Sequence, residues 1–257
     1  MAEVTPRHVL CILGAWRSLD KVEAVVTRVG GPGFAVDREF SQLEPDDRMV
    51  EAFNASFDRV SPSMTDEDWE AVESHAAVAY VTSPPLRQDL ALDISGRALV
   101  LIGALLENGG VAAKAESSGI AHGRDRWLEL SAQCDPTKKA DDHDQRAALY
   151  WAWVRRPIED DDEGVYYSCG MHLLGQRDVE IDSSLDVDSA VKWIDLLGLY
   201  LVADKPERPV RDGAGFRQRE SGPRRIMRLG PCSRYEEDDF FFNPYGYIRL
   251  EEAEEKG

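Results

Sequence analysis

The sequence lacks most of the features that announce chemistry. Its 257 residues include only four cysteines, Cys11, Cys134, Cys169 and Cys232, widely spaced and never in a CxxC pair. That spacing argues against a zinc knuckle or a disulfide-dense secreted scaffold and fits reduced thiols in a cytosol. No stretch approaches the roughly 20 apolar residues that cross a bilayer, Ala98–Leu106 being too short. The opening residues lack the charged start and apolar core of a signal peptide, so a cytoplasmic location is expected. There is no GxSxG, HExxH, EF-hand loop, P-loop or GxGxxG. The glycine-rich pieces GGPG (30–33) and DGAGF (212–216) read as turns.

Basic residues are also scarce. Thirty Lys and Arg face 48 Asp and Glu, a net charge of −18. Such a surface repels phosphate backbones and anionic lipid heads, which disfavours nucleic acid and membranes as partners. It suits a basic protein surface, although solubility alone is a simpler reason for acidity. Hydrophobic residues make up 43% of the chain, enough for a sizeable core.

Local patterns predict an α+β domain spanning 1–257, with a mixed or mostly antiparallel sheet packed by amphipathic helices and the hint of two related halves. HVLCILGA (8–15) reads as a buried strand, and Val22, Val25, Val26 and Val29 as one helix face. Residues 34–43 read as extended, and Asp46–Asp47 as the start of a second helix. Thr65 with Asp68 has capping-box spacing. HAAVAYVT (75–82) predicts a strand. Leu90, Ile94, Ala98, Leu101 and Leu105 lay an apolar stripe along a helix over 87–108. Val111–Ala115 predicts a strand, Ile120–Cys134 a helix and 135–145 a loop. The tyrosine and tryptophans of Ala147–Ile158 predict a large β element. The acid run 159–163 predicts a hairpin tip before a strand at Val165–Cys169. Asp186 or Asp188 caps a later helix, and DFFFNPYGYIRL predicts a closing strand.

Candidate chemistry is sparse. Cys169 and His172 sit three apart; together with His75 and nearby carboxylates they form the one enzyme-like set, a hydrolase or transferase site if the fold unites them. The structural alternative is a strand running into a turn at Gly170. Asp141, Asp142, His143 and Asp144 have metal-ligand types, but adjacent residues rarely face one ion, so neither metal nor cofactor is expected. Arg124, Asp125 and Arg126 mark a helix start, with Asp125 able to aid capping and the arginines able to bind an anion, the capping reading being favoured. From Lys205 to Arg234 nine basic residues, Arg208, Arg211, Arg217, Arg219, Arg224, Arg225 and Arg228 among them, meet three acids. They fit either an acidic partner or the chain's own acid runs.

The strand HAAVAYVT, the helix into ALLENGGVAA, the segment YYSCGMHLLGQRDVEI and the helix followed by DGAGF resemble, in that order, the bacterial DUF4261 domain family. The resemblance spans about 75–216 and leaves 205–257 as an arginine-rich, then acidic and aromatic extension. It departs at Asn108–Gly110, where a Gly-Ala type of turn would be expected. It supplies no catalytic residues. It implies an association with bacterial antagonism and immunity genes. The expectation is a non-enzymatic immunity or antitoxin protein that neutralises a basic toxin domain by direct binding. Its binding residues would be Asp160, Asp161, Asp162, Glu163, Glu236, Glu237, Asp238 and Asp239. An enzyme with the Cys/His set and a structural adaptor are the alternatives.

Overall fold

The computed structural model describes residues 5–56, 59–137, 140–160, 162–206 and 208–253. Two sheets organise them. The first holds β1 (Val9–Gly14), β2 (Ala35–Gln42), β3 (Ala77–Thr82), β4 (Gly110–Ala115) and β5 (Ile120–His122), in the order β2-β3-β1-β4-β5. All its pairings are antiparallel. The second holds β6 (Arg155–Asp160), β7 (Val165–Cys169), β8 (Asp178–Asp182), β9 (Gly215–Arg217), β10 (Arg224–Gly230) and β11 (Tyr247–Glu252). Its order is β6-β7-β8-β11-β10-β9, and β8 runs parallel to β11. The α+β class is as predicted, while the two strand orders differ from one another.

β1 lies at the centre of the first sheet and is apolar on both faces, as a strand covered twice must be. Leu10 and Ile12 join the main core. Cys11 and Leu13 join a second cluster with Met49 and Phe53 of α2 (Met49–Asn54) and Val72 of α3 (Asp66–Glu73). On the main-core side lie α1 (Leu19–Val25), which opens into a wider turn through Gly30, and α4 (Ala91–Glu107). Leu90, predicted to head the apolar stripe, is the N-cap of α4 and is exposed; Ile94, Ala98, Leu101 and Leu105 are buried. α5 (Arg124–Cys134) packs on α4, and α7 (Val187–Leu199) packs on the second sheet. α6 (Asp142–Trp153) touches both α4 and α7. One continuous core runs from Leu10 and Ile12 to Val179, Ile181, Ile248 and Leu250 of the second sheet.

Three sequence expectations are corrected. Ala147–Trp153 is helical, the last two turns of α6, and only Arg155–Asp160 is strand. Asp141 caps that helix by accepting from His143 N, so the expected loop ends at 141. The burial of Leu149 with Trp153, and Ala148 with Ala152, has the i,i+4 spacing of a helix face, which outweighs the β preference of Tyr and Trp. Second, Ile120–His122 is strand, and the helix starts at Arg124. Third, the aromatic tail is a strand only from Tyr247; residues 239–246 form turns.

Candidate functional site

The outer face of the second sheet is built around Arg234, whose side chain is only 7% exposed. Its Nε donates to Asp160 at 2.6 Å, Nη1 reaches Glu180 at 2.8 Å and Nη2 reaches Glu163 at 3.3 Å. The guanidinium also stacks over Tyr167 and Tyr247, 4.6 and 4.7 Å from the ring centres. A planar fork that pairs and stacks at once is an arginine arrangement that lysine cannot reproduce. Tyr167 and Tyr235 share a 2.6 Å hydroxyl hydrogen bond, which ties residues 231–246 down on the sheet. Asn243 anchors the other end of that segment. Fully buried, it donates to Asp178 at 2.6 Å and to Gln176 O at 3.1 Å.

Part of the arginine-rich stretch therefore neutralises the chain's own acid run at the β6–β7 tip. Asp160 is partly buried against Arg234, while Asp162 and Glu163 are exposed; Asp161 lies outside the described residues. The second run has a different setting. Glu236, Glu237, Asp238 and Asp239 are all exposed, and among the described residues none forms an ion pair. This run starts two residues beyond Arg234, so the fold brings both acid runs to one end of the second sheet.

Immediately after the second run comes Phe240, 57% exposed, on the wall of a cleft of about 530 Å³ in the first sheet. The other walls include Phe40 of β2, Tyr80 of β3, Met49 and Ala52 of α2 and the Lys114–Glu116 pair, together with the charged Arg7, Asp37 and Arg48. Phe40 and Phe240 are the two strongly exposed aromatics among the described residues, and both border this cleft. Lys114 is buried and pairs with Glu116 at 2.5 Å. Beneath the floor, Cys11 lies 3.8 Å from Met49 Sδ, and burial together with Glu116 pushes its thiol up to about 12. That thiol stays protonated and unreactive at neutral pH. Burial, then Cys11 and Glu116, also raises the Tyr80 hydroxyl.

The enzyme-like set is not assembled. Cys169 packs with Tyr167, Tyr247 and Cys232 on the outer face of the second sheet, and burial drives its thiol well above the ordinary range. His172 is buried in the interior beside His8, and burial lowers it to about 4. The Gly170 turn, at φ 122°, separates the two. His75 lies in the connection between α3 and β3, where Nδ1 donates to Val72 O at 2.6 Å and Nε2 accepts from Asp46 N at 2.8 Å, a structural connector. His143 lies in the first turn of α6 and meets Asp204 at 3.1 Å. No group of three or more His, Cys, Asp or Glu among the described residues is placed to hold a metal. No described helix is long and apolar enough to cross a membrane.

No family model, curated protein or solved structure matches the chain. Sequence reasoning found both acid runs but missed the cleft. Its one signal was Lys114, a lone charge inside the apolar strand GVAAKA. It also assigned Phe240 to a closing strand, which hid its place on the rim.

Proposed function

We propose that this chain is a protein-binding module that captures a basic partner, and in its sharpest form an immunity protein that neutralises a bacterial toxin domain by direct contact. The observation that carries the reading is the continuity of Glu236–Asp239 with Phe240: an unpaired acid run leads directly onto the rim of an apolar cleft. Protein interfaces combine an apolar anchor at the centre with a polar rim, and a few aromatic contacts supply most of the affinity. The acid runs would speed encounter with a positive surface and fix its orientation, while the cleft receives an apolar side chain. The net charge of −18 and the resemblance to a family associated with immunity genes support the same reading.

The test separates steering from anchoring. A tagged chain isolates its partner from native cells, and the partner gene is then expressed alone and with the chain. Expected is growth arrest by the partner that the wild-type chain relieves. Reversing Glu236, Glu237, Asp238 and Asp239 to lysine should slow association and weaken its dependence on salt. Phe240→Ala should speed dissociation by about tenfold or more. Undiminished neutralisation by the combined variant at low salt would remove this surface from the mechanism. Turnover of a small molecule that disappears on replacing His75 or Cys169 would replace the binding reading altogether.

A further inference from the structure

The acidic surface leaves one feature unused, the remaining arginines of the 205–234 stretch. Arg234 and Arg228 have carboxylate partners close by, Arg228 meeting Glu251 at 3.0 Å and Asp212 at 3.6 Å. Arg217 and Arg224 do not. They face each other as direct register partners across β9 and β10, an antiparallel pair at the sheet edge. Like charges directly opposite on neighbouring strands destabilise the pair. No acid relieves this one: Arg217 donates only to Gly222 O, at 3.0 Å, and Arg224 has no hydrogen-bond or ion-pair partner among the described residues. Both line a groove of about 1150 Å³ at the end of the strands, with Arg225, Gln218 and Ser189. Arg225 is 8% exposed and stacks 5.3 Å over Trp193. Among the described residues the groove's one carboxylate is Glu252, 85% exposed and 3.6 Å from Arg225.

The guanidinium of Arg224 lies over Gly215, where an added Cβ would fall 2.0 Å from Nε and 2.6 Å from Nη2. A side chain at 215 would push the head group of this exposed arginine aside.

We propose that this groove is an anion site for a small phosphorylated molecule, with the phosphoryl group seated between Arg217 and Arg224. Guanidinium forks match phosphoryl oxygens in pairs, and Arg217 and Arg224 both bring free donors to this groove. The volume exceeds that of a bare ion and accommodates an organic body beside Arg225 and Gln218. The overall negative field keeps polyanions such as nucleic acid away, which leaves small phosphorylated species as the fitting class. The site is independent of the acid-run surface, and either proposal can fail without the other.

The test is calorimetric titration of the full chain with inorganic pyrophosphate and with glycerol phosphate, against sodium acetate, paired with thermal unfolding. Expected is binding of both phosphates but not acetate, with a raised unfolding midpoint. Arg217→Gln and Arg224→Gln should each weaken binding by about tenfold or more. Without phosphate they should leave the midpoint unchanged or raise it, since each relieves the repulsion. Gly215→Ala should weaken binding comparably by displacing Arg224, and Arg228→Gln should not change it. The proposal is overturned if millimolar pyrophosphate produces neither heat nor a midpoint shift, or if the Arg217→Gln/Arg224→Gln double variant binds as tightly as the wild type. Pyrophosphate binding without any glycerol phosphate binding would also overturn the organic-ligand form of it.

Discussion

Arg234 shows how much a single side chain carries when it is buried with several carboxylates. Three acids converge on it, and two of them, Glu180 and Asp160, are only 9% and 19% exposed. With the guanidinium removed, among the described residues Glu180 keeps only the more distant Arg249, 3.8 Å away, and Asp160 keeps no cation within ion-pair distance. Uncompensated buried charge is the costly outcome, so Arg234→Met should lose about 3–5 kcal/mol of unfolding free energy in urea. Arg234→Lys should fall between, retaining charge but neither the fork nor the stacking on Tyr167 and Tyr247. A methionine variant as stable as the wild type would show that the hub is decorative. The same residue explains why the candidate acids are unequal: Asp160 is spent internally, whereas Glu236–Asp239 remain available to a partner.

Helix starts are where the elements depend on one another. Asp68 completes the capping box of α3, its Oδ2 accepting from Thr65 N at 2.9 Å, and its Oδ1 accepts from Arg124 N at 2.8 Å, which caps α5 as well. Gly123 makes this approach possible, because a Cβ there would fall 2.4 Å from the carboxylate. Asp68→Ala should therefore cost about 2 kcal/mol, more than one ordinary cap, and should increase amide exchange at Arg124 together with that of α3. A loss under about 0.5 kcal/mol would refute the shared cap. This element also marks the limit of what the chain reveals by itself. Thr65 and Asp68 are three residues apart, so their box is legible; Arg124 is 56 residues further along, and only the fold joins them. The strands at 9–14 and 77–82 were legible because an apolar run has one economical use. The YWAW segment was misread because aromatic β preference is weak beside a capped helix burying one face. Cys169 and His172 looked like neighbours by spacing, yet the Gly170 turn parts them, Cys169 packing with Tyr167 and Tyr247 and His172 lying buried beside His8. The acid runs were visible as composition. Their meeting around Arg234, and the cleft beside Phe240, depend on contacts between distant segments that no local pattern encodes.

At the scale of the whole molecule, buried titratable groups set how stability responds to acid. Ser95 Oγ donates to Leu173 O, so His8 Nε2 must donate to Ser95, which leaves Nδ1 bare and, among the described residues, without an acceptor for a second N–H. Burial, then His172, lowers His8 to about 3; burial likewise lowers His122 to about 3 and His172 to about 4. Burial pushes Asp178 the other way, up to about 7, against donors from Asn243, Ser168 and the Met171 backbone. In the unfolded chain histidine titrates near 6.5 and aspartate near 3.9. Each histidine's contribution is present above about 6.5 and is lost as pH falls toward its folded value. The Asp178 contribution is present below about 3.9 and is lost as pH rises through 7. Between roughly pH 4.5 and 6 the unfolded chain thus holds three extra histidine protons and the folded chain one extra aspartate proton, a net of about two favouring unfolding. Unfolding free energy measured in urea should fall by roughly 2.7 kcal/mol per pH unit on acidification through that window. His122→Gln should remove about one proton's worth of that slope, since glutamine can still donate to Ala152 O but cannot take up the proton. A stability that stays level or rises from pH 6 to pH 4.5 would mean that the histidines are not held neutral in the core, because their exclusion of protons is the main effect opposing Asp178 in that window.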